Sequence, residues 1–150
     1  MTRAIAFLKK QSIPFEIVEY GHLEKGAVFA SEAIGMPLEQ TVKTLVAEID
    51  KKSYRVVLMP GSKTIAFKKF ARAHGAKRAA MVDTDTAERL TGYKVGGISP
   101  FAMKRPLPVV MDKGLLEFDE VAINGGKRGI MLIMSPADIW KLTDAELTEL

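Results

Sequence analysis

The segment Thr91-Gly92-Tyr93-Lys94-Val95-Gly96-Gly97-Ile98-Ser99-Pro100 carries three glycines and a closing proline where an ordinary strand would carry side chains. Glycine tolerates positive φ and a close approach of other groups, so the segment is predicted to bend. Amides of a Gly96-Gly97 turn can form a concave nest for a phosphate, a carboxylate or an oxyanion, with the Ser99 hydroxyl at its edge. The alternative is a purely architectural β-bulge that ends in a proline turn.

Composition limits the class of protein. The 150 residues are 47% hydrophobic and 27% charged, which is typical of one globular domain, predicted over residues 1–150. A net charge of +4 favours anionic partners only mildly. The chain has no cysteine, and its two histidines, His22 and His74, stand in no metal-binding pattern, so neither a metal nor a cofactor is expected. With no apolar run of membrane-spanning length and no signal-peptide pattern, we expect a cytoplasmic protein without a membrane partner.

Residues 41–50 form the second informative segment. Side chains alternate along a strand, so Lys43 is predicted to share a face with Leu45, Ala47 and Ile49, opposite Thr44 and its neighbours. One interpretation is a lysine that lays its stem on the core and keeps its ammonium in water. The other is a cation held by a rigid strand at the mouth of a pocket, suited to an anion or a polarised carbonyl.

The remaining patterns predict a mixed domain. Strands are predicted over 15–20, 41–50, 54–59, 79–82, 106–112, 117–124 and 130–134, with hairpins at 50–53 and 125–129. Helices are predicted after Thr2, Ser31, Thr64, Asp83 and Ser135, with Trp140 in the core and a last frayed turn over 143–146. About seven strands with four or five helices indicate an α+β fold with a mixed sheet.

Two groups of cations flank these elements. The densest is Lys68, Lys69 and Arg72 on the third helix, followed by Lys77 and Arg78. It is either a nucleic-acid contact or a solvated helix face with cations near the helix C-terminus.

Gly126-Lys127 is followed by Arg128 rather than Ser or Thr, which excludes a Walker A loop. No nucleophile system is recognisable, so catalysis would have to rest on positioning, backbone dipoles and Lys43.

Three motifs in a fixed order carry a resemblance to a known family. They are Val42-Lys43-Thr44-Leu45, then Thr91-Gly92-Tyr93 running into Gly96-Gly97-Ile98-Ser99-Pro100, then Gly125-Gly126-Lys127-Arg128-Gly129. Together they resemble the YbaK/EbsC family, free-standing relatives of the editing domain of bacterial prolyl-tRNA synthetases. The resemblance covers essentially the whole chain. It implies a barrel-like mixed sheet and hydrolysis of the ester of a mischarged aminoacyl-tRNA, most often tRNA for proline.

The resemblance also implies roles for individual residues. Lys43 and the amides of Gly96 and Gly97 would be catalytic, acting with a bound water or a group of the substrate itself. Contacts with the aminoacyl group would come from Tyr20, Phe29, Thr44, Ser99, Asp112, Asn124 and Gly126. Contacts with tRNA would come from Lys68, Lys69, Arg72, Lys77, Arg78, Lys127 and Arg128. The implied partner is the acceptor end of aminoacyl-tRNA, with an aminoacyl-tRNA synthetase as a possible second one.

Two positions depart from the pattern of the cysteine-removing branch. Asn124 stands where a small residue, often Ser, is typical, and Met131 stands where an acidic residue is common. Asn124 either reads the substrate amino group or caps the hairpin turn. Cysteine, alanine, serine, threonine or another small amino acid therefore stays open as the one removed.

Two rival functions use the same residues. One is a non-catalytic module that binds a tRNA end or a nucleotide, and the other is a partner-binding domain whose glycine loops are only architectural. The editing hypothesis requires that Lys43 and the Gly96-Gly97 segment meet at one cavity.

Overall fold

The computed structural model describes residues 1–21 and 27–150. In these ranges the α-helices are α1 (Arg3–Lys10), α2 (Ala27–Ile34), α3 (Phe67–Ala73), α4 (Thr84–Thr91) and α5 (Pro136–Thr143). The strands are β1 (Glu16–Glu19), β2 (Val42–Ile49), β3 (Ser53–Pro60), β4 (Ala79–Met81), β5 (Val109–Asp112), β6 (Val121–Asn124), β7 (Ile130–Met134) and β8 (Glu146–Thr148). Short 3-10 helices cover Leu38–Gln40 and Lys113–Glu117. The predicted α+β class is confirmed.

The strands form two sheets. One has the order β4-β2-β3-β5-β8 and the other β1-β7-β6. β2 and β3 are an antiparallel hairpin, as predicted, whereas β3, β5 and β8 run parallel to one another. A parallel bridge between Thr41 and Ala122 joins the two sheets. The sheet is therefore mixed, as expected, but it does not close into a barrel.

The five-stranded sheet separates two apolar layers. Its main core contains Val42, Val46, Val56, Leu58 and Met111. On the opposite side, Ala47, Ile49, Val57, Met59 and Val110 pack with Phe70 of α3. Because the two sets alternate along each strand, the predicted alternation of β2 is confirmed, and α3 covers the face that the side chain of Lys43 shares.

The C-terminal prediction is wrong in two respects. Instead of a helical turn over 143–146, α5 ends at Thr143, the following residue Asp144 has a φ of 50°, and β8 then pairs with β5. The free edge of β5 provides hydrogen-bond partners for the backbone groups of β8. This pairing stabilises β8 as a strand although its own sequence pattern favours a strand only weakly. Trp140 is not in the core: it is 41% exposed, and its Nε1 donates to the carbonyl of Ala145 over 3.0 Å.

The segment between β1 and β2 also differs from its prediction. The helix α2 includes Ala27–Ile34, so Ser31 lies inside it and donates to the carbonyl of Met36 rather than capping the helix. Phe29 is thus on a helix, while His22 and Gly26 lie outside the described residues. None of the helices in the described part of the chain is both long and apolar enough to cross a bilayer.

Candidate functional site

A recess lined mainly by apolar residues lies beside the N-terminal half of β2. In the described part of the chain, β4 pairs with Ala47, Glu48 and Ile49 and does not extend along the earlier part of β2. A cavity of about 420 Å³ opens there. Its walls come from β2, the end of β4, the start of α4, the glycine segment, β6, β7, α2 and the residue that follows β1. The lining residues are Tyr20, Ala27, Ala30, Val42, Lys43, Thr44, Leu45, Val46, Met81, Val82, Asp83, Thr84, Ala87, Val95, Gly96, Ile98, Asn124 and Met131. We call it the β2 cavity.

Lys43 and Gly96 both line the β2 cavity. They are therefore brought together by the fold although 53 positions separate them in the sequence. The Lys43 side chain is half-buried, and its Nζ donates to the main-chain carbonyl of Lys63 just after β3. The carbonyl of Lys63 therefore holds the Lys43 ammonium in this conformation. For the ammonium to contact a ligand, the Lys43 side chain would have to change its rotamer.

The glycine segment contains a turn and an open wall. Gly92 ends α4 with a φ of 79°, and Gly96 has a φ of 95°. The Gly97 N–H donates to the carbonyl of Lys94 over 2.9 Å, which closes a turn. Gly97 is buried, whereas Gly96 lines the cavity. Gly97 thus has the architectural role of closing a turn in this conformation. Gly96 is the glycine that lines the β2 cavity.

The β6–β7 hairpin packs directly against the glycine segment. Asn124 Nδ2 donates to the Gly96 carbonyl over 2.7 Å, and Arg128 Nε donates to the Val95 carbonyl over 2.8 Å. A Cβ at Gly97 would lie 2.8 Å from Lys127 Cα, so only glycine fits this contact without a shift. The two glycine motifs are consequently one structural unit.

Two buried polar atoms of the β2 cavity have no hydrogen-bond partner in the described part of the chain. They are Thr44 Oγ1 and Asn124 Oδ1. Because Asn124 Nδ2 is committed to Gly96, its oxygen is left as an acceptor. Buried polar atoms are rarely unsatisfied, and each costs free energy comparable to a lost hydrogen bond. A bound ligand that supplies polar groups would remove this cost.

Two aromatic side chains meet at the α2 side of the cavity. The rings of Tyr20 and Phe29 have centroids 6.0 Å apart, within the range of favourable aromatic pairs. Tyr20 itself lines the cavity, and Phe29 stands behind it on α2. Burial raises the pKa of the Tyr20 hydroxyl, and a backbone hydrogen bond with Gly129 opposes that rise. Tyr20 therefore offers a neutral hydroxyl near neutral pH.

Two other predicted contacts have structural partners elsewhere. The fully buried Ser99 accepts a hydrogen bond from the Phe101 N–H over 3.1 Å. Asp112 is also fully buried, pairs with Lys63 Nζ over 2.9 Å and accepts from the Gly114 N–H. Neither residue is in the β2 cavity wall given above. Asp112 is nevertheless linked to Lys43, because it pairs with the side chain of Lys63, and the main-chain carbonyl of Lys63 accepts the hydrogen bond from Lys43.

The predicted tRNA-binding cations fall into two regions. Lys68, Lys69 and Arg72 are exposed on α3, on the sheet face opposite the main core. Lys77 and Arg78 are exposed beside them, where both of their amides donate to Asp50 Oδ1. Lys127 and Arg128 are exposed on the β6–β7 hairpin next to the glycine segment. Gly126 lies in the same hairpin, against the ring of Tyr93.

The sequence interpretation missed part of the cavity wall. Asp83, Thr84 and Ala87 at the start of α4 line it, as do Met81 and Val82. Val82 N donates to the Val46 carbonyl over 3.2 Å, which brings the start of α4 to the free edge of β2. The capping signal at Asp83 identified the helix but carried no information about what it faces.

Comparison with known proteins supplies the family. The model of the aminoacyl-tRNA editing domain matches residues 24–142. The chain is 28% identical over 151 residues to EbsC of Enterococcus faecalis, a proposed Cys-tRNA(Pro)/Cys-tRNA(Cys) deacylase, covering 99% of this chain and 92% of that one. It is also 28% identical to the multifunctional Ser/Thr-tRNA deacylase ProXp-y of Escherichia coli, with 97% and 89% coverage.

A solved structure agrees with these relatives. A proposed trans-editing enzyme for prolyl tRNA synthetase superposes with a TM-score of 0.88 at 27% identity, covering 99% of this chain and 94% of that one. The YbaK/EbsC resemblance is thereby confirmed, and both relatives are named as tRNA deacylases. Since the family model spans most of the chain, the protein belongs to the aminoacyl-tRNA editing domain family of deacylases.

Proposed function

We propose that the protein hydrolyses the ester between a wrong, small amino acid and the 3′ end of a tRNA, most often tRNA for proline. The observation that carries this proposal is the β2 cavity, which is lined by Lys43, Gly96, Thr44 and Asn124. In the described part of the chain, Thr44 Oγ1 and Asn124 Oδ1 are buried without a hydrogen-bond partner. Such a cavity, apolar with a few convergent polar groups, is typical of a small-ligand site. The deacylase activities after which EbsC and ProXp-y are named support the same chemistry.

The reaction needs a water and a place for negative charge. In our proposal a water, activated by a group of the substrate or positioned by the cavity, attacks the ester carbonyl carbon. The C–O bond to the ribose then breaks, giving the free amino acid and a tRNA hydroxyl. The Gly96 amide would donate to the tetrahedral oxyanion, and the Gly97 amide would join it only if its bond to Lys94 opened. Lys43 would leave the Lys63 carbonyl and hold the terminal phosphate or the ester.

The identity of the amino acid depends on the polar atoms of the cavity. Asn124 Oδ1 is suited to accept from the substrate α-ammonium, and Thr44 Oγ1 can accept or donate at the amino-acid side chain or the ribose. Met131 makes this wall apolar where the cysteine-removing pattern carries an acid. Cysteine, alanine, serine and threonine all have side chains small enough to be candidates. Tyr20, backed by Phe29, would close the pocket around them.

The proposal extends to the partners. The α3 cations Lys68, Lys69 and Arg72, with Lys77 and Arg78, would contact phosphates of the acceptor stem. Lys127 and Arg128 would contact the end of the tRNA close to the cavity. A synthetase that produces the mischarged tRNA would be the second partner. The proposed compartment is the cytoplasm, where such tRNA is made and used.

A panel of mischarged tRNAs tests the proposal. The protein is incubated with tRNA for proline carrying Cys, Ala, Ser, Thr or Pro, and the release of free amino acid is measured. We expect release of at least one small non-cognate amino acid and retention of proline. Binding of every member without release would instead support the non-catalytic module.

A matched pair of lysine variants then tests the site. Lys43→Ala is expected to lower the deacylation rate by a factor on the order of 10² or more, with an unchanged fold. Lys52→Ala removes an exposed lysine at the β2–β3 turn and is expected to retain the wild-type rate. A Lys43→Ala protein with the wild-type rate would exclude the lysine from the mechanism.

A further inference from the structure

The start of α1 is bonded to both of the glycine motifs. The Thr2 hydroxyl donates to the main-chain carbonyl of Gly125, in the β6–β7 hairpin, over 2.6 Å. The next residue, Arg3, donates from its guanidinium to the carbonyl of Thr91, which opens the glycine segment, over 3.2 Å. Two consecutive residues outside the cavity wall given above therefore link the two parts that Asn124 also joins.

The Thr2 side chain is held on its helix side as well. As the N-cap of α1, its oxygen accepts from the Ile5 N–H over 3.1 Å, while its only proton goes to Gly125. The hairpin backbone also packs directly on this side chain, because a Cβ at Gly126 would lie 3.1 Å from Thr2 Cβ. The first turn of α1 therefore fixes where the hairpin turn lies.

Arg3 contacts the glycine segment at more than one point. Besides its bond to Thr91, its guanidinium carbon lies 4.9 Å from the centroid of the Tyr93 ring, within the range of cation–π contacts. The guanidinium also occupies the space beside Gly92, where a Cβ would lie 2.6 Å from Arg3 Nη2. The Tyr93 ring is itself fixed, since it is buried and its hydroxyl donates to the Phe101 carbonyl. Arg3 thus ties the start of the glycine segment to α1.

We propose that Thr2 and Arg3 are positioning residues of the deacylation site. They hold the hairpin and the glycine segment in the register in which Asn124 and Gly96 line the β2 cavity. Groups that act on a reacting atom need support from surrounding contacts to stay within about 0.5 Å of their working positions. The two links from α1 add this support to the bond between Asn124 and Gly96. This inference rests on the proposed function, because it assigns the effect on the reaction to the Gly96 amide.

A double variant removes both links. Thr2→Val replaces the hydroxyl by a methyl group, and Arg3→Met keeps an unbranched side chain without the guanidinium. Single-turnover deacylation is measured with the mischarged tRNA that the wild type hydrolyses fastest, at protein concentrations up to saturation. The maximal rate constant is expected to fall about 10-fold, with a half-saturating concentration within about two-fold of the wild type, because a displaced Gly96 amide weakens the transition state selectively.

The matched control removes the same chemical groups elsewhere. Thr143 Oγ1 donates to the Ile139 carbonyl over 2.7 Å, and the guanidinium carbon of Arg105 lies 5.9 Å from the centroid of the Tyr54 ring. Thr143→Val/Arg105→Met is therefore expected to keep the wild-type rate constant. Thr2→Ser keeps a hydroxyl donor and should retain most of the rate that Thr2→Val alone loses.

Amide hydrogen exchange tests the two links without the reaction. The N–H groups of Val95 and Ile130 lie in the glycine segment and the hairpin, and both are hydrogen-bonded. They are expected to exchange about 10-fold faster in Thr2→Val/Arg3→Met than in the control variant, because local opening becomes less costly. Wild-type exchange at both sites, or an unchanged maximal rate constant, would overturn the proposal.

Two further outcomes separate this proposal from its alternatives. A loss confined to the half-saturating concentration would mean that Arg3 binds tRNA directly, which contradicts a positioning role. If the wild type deacylated no tRNA but exchange rose only in Thr2→Val/Arg3→Met, the hold of α1 on the two glycine motifs would stand while the deacylase proposal failed.

Discussion

Asn124 donates from its side-chain Nδ2 to the main-chain carbonyl of Gly96 over 2.7 Å, so that one side chain joins the β6–β7 hairpin to the glycine segment. Asn124 also lines the β2 cavity, and its side-chain oxygen has no hydrogen-bond partner among the residues that the structure describes. The bond therefore has two consequences, one for stability and one for the position of the Gly96 amide. They can be measured separately.

Asn124→Ala is expected to lower the free energy of unfolding by about 1 kcal/mol, because the half-buried Gly96 carbonyl loses its donor. It should also lower the deacylation rate about 10-fold or more, since the glycine segment is no longer held in register. Urea denaturation and single-turnover deacylation measure the two effects.

Gln40→Ala is the matched control for Asn124→Ala. Gln40 Nε2 makes the same kind of amide-to-carbonyl bond, to Glu120 over 3.1 Å, at an exposed position outside the β2 cavity wall. Its deacylation rate is expected to equal that of the wild type. If Asn124→Ala also kept the full rate, the tie to Gly96 would have no part in catalysis.

Gly97→Ala tests the contact between the two glycine motifs. A Cβ at this position would lie 2.8 Å from Lys127 Cα and 2.9 Å from Arg128 N, which are backbone atoms that cannot rotate away. The expected loss is about 1–3 kcal/mol of unfolding free energy, as for other overpacked sites. In Gly21→Ala, the control, the new Cβ would meet nothing within 4 Å. Equal stability of the two variants would show that the hairpin moves freely.

The strand patterns predicted much of this arrangement because they depend on local sequence. The period of two in β2 correctly placed Lys43 on the face of Leu45, Ala47 and Ile49, and the hairpin with β3 followed from two strand patterns around a polar turn. β8 could not be predicted in this way. Its three residues form a strand only because the edge of β5 is available.

The contacts of the site depend on long-range packing. Lys43 donates to the carbonyl of Lys63, which follows the other strand of the hairpin, and Asn124 reaches a carbonyl 28 positions earlier. No periodicity encodes such pairs. Of the site residues that the sequence predicted, five line the β2 cavity: Tyr20, Lys43, Thr44, Gly96 and Asn124. The hydrogen-bond partner of each side chain could be read only from the fold.

Lys63→Met tests the buried ion pair beneath Lys43. Lys63 Nζ lies 2.9 Å from Asp112 Oδ2, and the Asp112 side chain is only 1% exposed. Removing the cation leaves a buried carboxylate without a charge partner, and the expected loss is about 3 kcal/mol of unfolding free energy by urea denaturation. Lys94→Met is the control, because its pair with Glu88 spans 3.8 Å at an exposed position and should contribute less than about 1 kcal/mol. Comparable losses in the two variants would contradict the assignment.

The α3 cations are tested with full-length tRNA. Lys68→Ala/Lys69→Ala/Arg72→Ala should reduce the slope of log K against log salt by up to about 2.7, or about 0.9 for each duplex phosphate that is no longer neutralised. Lys9→Ala/Lys10→Ala/Lys141→Ala removes three exposed lysines elsewhere and should leave the slope unchanged. An unchanged slope in the α3 variant would mean that this surface is only a solvated helix face.

Asp83 links the stability of α4 to pH. Its carboxylate caps the helix by accepting from the Thr86 N–H over 2.7 Å, and these bonds to Thr86 lower the pKa of Asp83 below its ordinary value of 3.8. Between the two pKa values the unfolded chain binds more protons, so this stabilisation is complete above pH 3.8 and is lost as the pH falls through the lowered value.

Asp83→Asn isolates this effect because asparagine keeps a capping oxygen but carries no charge. The difference in unfolding free energy between wild type and Asp83→Asn is expected to be larger at pH 7 than at pH 2.5, a pH of about one unit or more below the ordinary range of Asp. Asp83→Ala, which removes the cap itself, should be less stable than Asp83→Asn at both values. Urea denaturation at the two pH values measures all three proteins. A difference between wild type and Asp83→Asn that stayed constant with pH would show that the charge of Asp83 does not stabilise the helix.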